Sequence, residues 1–534
     1  MFDNNLKDMI SSGQINLGVE FGSTRIKAVL TSPGANIIAQ SSYDWENRLI
    51  DGIFTYAMDE VWTGLRKCYK DIREYVEQEC GIEITKLSSM GFSAMMHGYL
   101  VFDSKGEQLV PFRTWRNTIT GQSADILSRL FSFNVPQRWS IAHLYQSILN
   151  KEEHVGNIGF LTTLAGYVHW KVTGERVIGI GDASGIFPID EVSLDYNKDM
   201  IEKFKKLAEK DGFTIPLENI FPKVLTAGQT AGRLTAQGAL LIDPSGMLQA
   251  GIPVCPPEGD AGTGMVATNS ITPETGNIST GTSIFAMIVL EKNLSQYYSQ
   301  IDMVTTPDGY PVAMVHCNTC TSDIDAWVRL FYEFAKKIDK DTEISEVYRL
   351  LYRSAQEGIY DCGGLTSINY FSGEPVVNIS DGAPLFIRKA DSRFTLSNFM
   401  RTHIYSSFAT VKIGLDLLFK EQEIKLKKLR GHGGLFKIEK VAQQMLSSAL
   451  DTPVEVAETA SEGGAWGMAI LAEYMACREQ NQSLEQYLNE KIFAGTNSMV
   501  CFPIKEETEG FSIFLERYKK TLQVEGFAVE TLQQ

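Results

Sequence analysis

The sequence predicts an α/β fold made of two similar halves that face one another. Three observations lead there. Strand-like runs and helical patterns succeed one another as three strands, a helix, then more strands, an α/β order with an antiparallel edge. A small-residue turn, Gly22-Ser23-Thr24, separates two strand-like runs near the N-terminus, and a second, Gly281-Thr282-Ser283, separates two more half a chain later. A chain of 534 residues exceeds one compact core. Two domains are therefore expected, residues 1–267 and 268–534, with the boundary placed by the repeat.

Local pattern sets the elements. Ile15 to Phe21 and Arg25 to Leu30 are rich in Ile, Leu and Val and read as a hairpin. Asn36 to Ser41 is a third strand. Asp59 is expected to cap a helix whose apolar positions Val61, Leu65, Tyr69, Ile72 and Val76 recur at helical spacing. Leu87 to Phe92 reads as a buried strand, and Tyr99 to Phe102 as another. Residues 117–174 are mainly helical, and Asn197 to Gly212 is an amphipathic helix. Gly251 to Cys255 is expected to be a short strand that delivers Asp260.

The second half repeats the plan. Asn277 to Leu290 is a hairpin and Val312 to Val315 a strand. Ser322 and Asp325 have the spacing of a capping box. A long helix is expected over Phe399 to Lys420. Lys427 to Leu429 leads into a loop, Gly431 to Gly434, then a helix to Leu450. Val454 to Val456 is a strand. Glu462-Gly463-Gly464-Ala465 opens an apolar helix to Cys477. Glu525 to Gln534 are expected to fray.

Composition excludes several classes. The net charge of −16 argues against a broad nucleic-acid surface. No uncharged apolar run approaches a membrane span. Met1 to Gln14 has no apolar core of a signal peptide, and the eight cysteines are scattered, so a reducing, cytoplasmic location is expected. Cys317-x-x-Cys320 lacks the second pair of a structural zinc site. Gly-Lys is absent from the chain, so there is no Walker A loop.

The two turns carry the chemistry. Small residues expose backbone N–H groups, which bind phosphate oxygens without a side chain in the way. Either turn alone reads better as ordinary hairpin chemistry; together, half a chain apart, they could hold a polyphosphate between domains. Asp260 stands among glycines, where a carboxylate can approach a hydroxyl as a base. It can also be a turn Asp bonding its own backbone. Glu20, at the end of the first strand, can hold Mg²⁺ through water or be a solvated strand-end acid. Gly431 to Gly434 and Gly463-Gly464 suit close approach of a nucleotide, or tight helix packing. Met96-His97 and Trp115-Arg116-Asn117 offer an apolar face with donors, which suits a sugar. A His beside Met is also an ordinary core residue.

Taken in order, these motifs resemble those of FGGY-type carbohydrate kinases of the actin/hexokinase/Hsp70 superfamily, over nearly the whole chain. Leu17-Gly-Val-Glu-Phe-Gly-Ser-Thr-Arg-Ile-Lys27 is similar to the family's first phosphate motif, and Gly281-Thr282-Ser283 to its second. Gly259-Asp260 is similar to its catalytic aspartate motif. Met96-His97-Gly98, Thr114 to Asn117 and Ser372-Gly373-Glu374 resemble xylulose kinase motifs. Gly431 to Gly434 and Gly463 to Gly467 resemble the adenosine loops. Glu20 stands for the usual Asp, Asn117 for a sugar-contacting acid, and Ala261 where xylulose kinases often have Asn.

The resemblance implies two ribonuclease-H-like domains with an interdomain cleft. It implies ATP and Mg²⁺ as cofactors and a small-molecule ketose, D-xylulose before ribulose or another sugar, as partner. Asp260 would be the base; Met96, His97, Trp115, Arg116, Asn117 and Asp260 would bind sugar. Gly22, Ser23, Thr24, Lys27, Gly281, Thr282, Ser283, Gly433, Gly434, Gly463 and Gly464 would bind nucleotide, and Glu20 with Asp260 would face the metal. A homodimer is compatible with this reading. The competing readings are an ATPase switch of the same superfamily acting on a protein, and a sugar-binding regulator without catalysis.

Overall fold

The computed structural model describes residues 2–438, 440–457 and 463–532. Glu462, expected to open the apolar helix, lies outside the described residues. So do Gln533 and Gln534.

The first half forms a five-stranded sheet. β1 (Asn16–Phe21), β2 (Arg25–Ser32) and β3 (Asn36–Asp44) make an antiparallel meander. Helix α1 (Met58–Cys80) crosses over and returns the chain to β4 (Ser89–Ala94), parallel to β1. β5 (Glu258–Gly259) adds parallel to β4 and runs straight into α2 (Asp260–Ala267). The order is β5-β4-β1-β2-β3.

The second half repeats this. β6 (Thr275–Thr280) and β7 (Ile284–Val289) form the hairpin; β8 (Asp302–Thr305) and β9 (Pro311–Cys317) come next. After helices α3 (Ser322–Ile338) and α4 (Leu396–Asp416), β10 (Lys428–Gly433) pairs parallel to β6. Then come α5 (Val441–Leu450), β11 (Val454–Ala457), α6 (Gly463–Cys477) and β12 (Ser498–Cys501). Within the order β8-β9-β7-β6-β10-β11-β12, the middle five strands reproduce the first sheet. No helix among the described residues is long and apolar enough to cross a membrane.

The halves exchange packing. α6 comes after most of the second sheet in sequence but lies on β1 and β4 of the first, with α2 alongside it. Glycine permits this. A Cβ on Gly18 of β1 would lie 2.1 Å from the Ala465 carbonyl oxygen, and one on Gly467 would lie 2.1 Å from the Thr263 carbonyl oxygen. Buried Glu473 pins the far end of α6: its carboxylate accepts from the Gly34 N–H at 2.7 Å, the Ala35 N–H at 3.1 Å and the Tyr487 hydroxyl at 2.7 Å. Met265, Met287, Trp466 and Met468 share one core cluster, so apolar residues from both halves close over the joint.

Several expectations change. The N-cap of α1 is Ala57; Asp59 sits in the first turn, where its charge suits the helix dipole. Gly251 to Cys255 makes only isolated bridges at Pro253 and Val254, because Pro253, Pro256 and Pro257 have no N–H for a ladder. Ser322 and Asp325 form no capping box; Thr321 precedes the helix, and Asp325 accepts the Tyr348 hydroxyl at 2.7 Å. Gly431 to Gly433 is strand rather than loop, with the Phe436 ring lying against Gly431. The C-terminal helix holds to Leu532, since buried Glu525 accepts the Ala383 N–H at 2.8 Å.

Replacing Gly18 with Ala should cost about 1–3 kcal/mol by overpacking. Thermal melts should show a lower Tm, and an unchanged Tm would contradict this packing.

Candidate active site

The first turn is built with its carbonyls held from behind. Trp45 Nε1 donates to the Gly22 carbonyl at 2.7 Å, the Tyr56 hydroxyl to the Ser23 carbonyl at 2.6 Å, and the Trp45 N–H to the Thr24 carbonyl at 3.2 Å. The Trp45 and Tyr56 rings stack at 4.2 Å, which fixes both donors. The second turn repeats the device with other groups. The Cys320 N–H donates to the Thr282 carbonyl at 2.7 Å, and Thr321 donates its N–H and hydroxyl to the Gly281 carbonyl at 3.2 and 3.0 Å. In each turn two N–H groups, those of Ser23 and Thr24 and of Thr282 and Ser283, have no hydrogen-bond partner among the described residues. Two free amides on a small-residue turn make an anion-binding concavity.

Around the first turn the structure gathers a compact group. Asp260 is the first residue of α2, set by β5. Its Oδ1 accepts the Met96 N–H at 3.2 Å and its own neighbour's, Ala261, at 3.0 Å. Burial pushes its carboxyl up to about 7, and the charge of Glu20 adds to the effect. Glu20 Oε2 accepts the Ala465 N–H at the start of α6, at 3.1 Å. Burial raises this carboxyl too, opposed by the charge of Lys27. Gly464 lets this carboxylate sit close: a Cβ there would lie 2.9 Å from Glu20 Cδ and would push the carboxylate aside. Gly463 lies beside Lys27, whose Nζ would be 3.8 Å from a Cβ there. Trp115 Nε1 reaches the Ser23 hydroxyl at 3.3 Å.

A second group surrounds the second turn. Gly433 lies so close to β6 that a Cβ would be 2.2 Å from the Thr280 carbonyl oxygen, with Gly434 next to it. No hydrogen bond or ion pair joins Gly281 to Ser283 or Gly433 and Gly434 to the Asp260 group among the described residues.

Other expected sugar contacts divide. Met96 is buried against Gly259. His97 is buried with positive φ, its ring stacked on Trp139. Burial and the charge of Arg138 hold its imidazole well below the usual range, so it is neutral. Arg116 is exposed and lies 4.4 Å from the Phe54 ring centre. Asn117 is spent on structure: its amide makes three hydrogen bonds of 2.8 to 3.0 Å with the backbone of Phe54 and Thr114.

Two acids carry no mark in the sequence pattern that the site motifs share. Asp182 is fully buried; it accepts the Thr163 hydroxyl at 2.6 Å and leaves Oδ1 unpartnered beside Gly259. Burial pushes it up to about 7, and the charge of Asp260 adds to that. Glu258 is equally buried and accepts the Gly181 and Asp182 N–H groups at 3.3 and 3.0 Å; burial raises it strongly. Glu258 stands two residues from Asp260, a signal that could have found it. Asp182 has none, since it reaches the site through tertiary packing.

A model of the FGGY family of carbohydrate kinases, N-terminal domain, matches residues 15–267, and one of the C-terminal domain matches residues 276–476. The chain belongs to the FGGY family of carbohydrate kinases. It is thus a carbohydrate kinase, a phosphotransferase whose family implies ATP as a substrate. The chain is 23% identical to a xylulose kinase of Haemophilus influenzae, across 81% of this chain and 83% of the relative. The fold is similar to a crystal structure described as a "xyloylose" kinase from Brucella ovis, with TM-score 0.77, 18% identity, and 97% and 100% of the two chains covered. A gluconate kinase from Lactobacillus acidophilus has TM-score 0.78 at 15% identity, covering 96% and 98%. These likenesses support the two-domain FGGY fold.

These raised acids carry a cost in stability. A carboxyl raised in the folded state binds more protons there than in the unfolded chain. Its stabilising effect is complete below the ordinary value of 3.8 and is lost as pH rises through about 7. Asp260→Asn should therefore raise Tm more at pH 8 than at pH 5. Thermal melts at the two pH values measure this, and an equal shift at both would contradict the buried, raised carboxyl.

Proposed function

We propose that this kinase transfers the γ-phosphoryl group of ATP to a terminal hydroxyl of a ketose, with D-xylulose as the first candidate. The observation that carries this is Asp260, an acid anchored by the Met96 N–H beside a turn that presents free amides. Its carboxyl, raised to about 7, is matched to taking a proton near neutral pH. The Asp260 carboxylate takes the hydroxyl proton, the freed oxygen attacks the γ-phosphorus, and ADP leaves with the bridging oxygen. The amides of the two turns hold the phosphate oxygens, and Lys27 adds positive charge beside the first turn.

Residues 1–267 are the sugar domain in this proposal and residues 268–534 the ATP domain. Gly433 and Gly434 would border the nucleotide from the second sheet. Gly463 and Gly464 would do so from the start of α6. Met96, His97, Trp115 and Arg116 would face the sugar, with His97 as a neutral partner. Asn117 would act behind them by holding the loop. Glu20 and Asp260, which repel one another, fit a divalent cation. No group of three metal-binding side chains stands together among the described residues. Mg²⁺ is commonly held by one or two carboxylates and substrate phosphates, so it would arrive with ATP and offset phosphate charge. Eight free thiols suit a reducing cytoplasm.

The choice of sugar rests on Met96-His97-Gly98 and on a curated relative that bears the name xylulose kinase. An ATP-coupled assay over pentuloses, hexuloses and polyols tests it. D-xylulose should give the highest kcat/KM. Another sugar ranking far above it would overturn the substrate while leaving the kinase.

A further inference from the structure

Ser372-Gly373-Glu374 takes no part in the proposed phosphoryl transfer, yet it lies behind the second turn. Glu374 is fully buried. Its Oε2 accepts the Asn318 N–H at 2.9 Å, and its Oε1 faces the Val376 N–H at 3.4 Å. Asn318 returns a bond, donating Nδ2 to the Gly373 carbonyl at 2.6 Å. Residues 318–321 join β9 to α3. From the other side, this same loop supplies the donors that hold the Gly281 and Thr282 carbonyls: the Cys320 N–H to Thr282, and the Thr321 N–H and hydroxyl to Gly281.

The two turns thus solve one problem differently. In the first, a stacked Trp–Tyr pair holds the carbonyls back. The second has no aromatic donor to its carbonyls among the described residues and depends on a four-residue loop. Such a loop fixes the turn only if it is itself fixed. If it loosened, the Gly281 and Thr282 carbonyls could swing toward the phosphate and present negative charge to it.

We propose that Glu374 is a positioning residue for the nucleotide phosphates. By anchoring residues 318–321 it keeps the two carbonyls turned back and the Thr282 and Ser283 N–H groups free for phosphate oxygens. Glu374 acts through the loop and does not itself touch nucleotide. The inference rests on the proposal that this turn binds phosphate.

Glu374→Gln is the test, because the amide keeps the shape and loses one of two acceptors. The KM for ATP should rise by up to about tenfold, the effect of one buried hydrogen bond. ADP affinity measured without sugar should fall in parallel, while the KM for sugar stays unchanged. A purely structural role would lower kcat and Tm and leave the two KM values moving together. That outcome, or an unchanged KM for ATP, overturns the proposal. If Glu374→Gln does not fold, Thr321→Val reads the same path from the turn side, and an unchanged KM for ATP there overturns it. Hydrogen exchange of the wild type separates the two levels. Absence of ADP protection at Thr282 and Ser283 would remove the phosphate turn itself. Protection with a nucleotide-insensitive Glu374→Gln would remove only the role of Glu374.

Discussion

The structure depends on the close seating of α6 against β1 and α2. A helix from the second half lies on the first sheet, at a separation that leaves no room for a Cβ at Gly18 or Gly467. At both glycines the contact is with backbone, which has no rotamer to change. It also carries the start of α6 to Glu20. The helix N-terminus, which needs acceptors for its free N–H groups, finds one in a carboxylate from the other half. The same contact therefore joins the halves and orients an acid at the site.

This seating concentrates buried negative charge. Glu20, Asp182, Glu258 and Asp260 lie near one another around β1, β4 and β5, and burial raises all four. Each is held by backbone N–H groups or a hydroxyl, so the group is satisfied locally while its members repel. A fold selected only for stability would dilute such a group. Its place beside a turn with free amides supports the proposed phosphoryl transfer, which needs a proton acceptor near neutrality and donors for anionic oxygens.

Much of this is legible in the sequence, for identifiable reasons. The two hairpins and α1 announce themselves because local patterning dictates them. The small-residue turns do so because each interrupts two strand-like runs half a chain apart. The FGGY motifs in order identify the fold. The hidden features depend on contacts remote in sequence. Asp182 reaches Gly259 across 77 positions of chain, and nothing around it marks it. The amide of Asn117 looks free for a sugar and is consumed by Phe54 and Thr114. The glycines of Gly431 to Gly433 look like a loop and belong to a strand, since their small size serves Phe436 and Thr280. That α6 packs on the opposite sheet cannot be read from its apolar pattern, which states burial but not the partner.

Asp260 as the proton acceptor is the central claim. The most direct measurement is transfer of labelled γ-phosphate from ATP to sugar by Asp260→Asn, with ADP affinity measured on the same protein. Transfer should drop by about a hundredfold or more, the usual worth of a positioned base, with nucleotide affinity retained. Turnover close to that of the wild type would contradict this role.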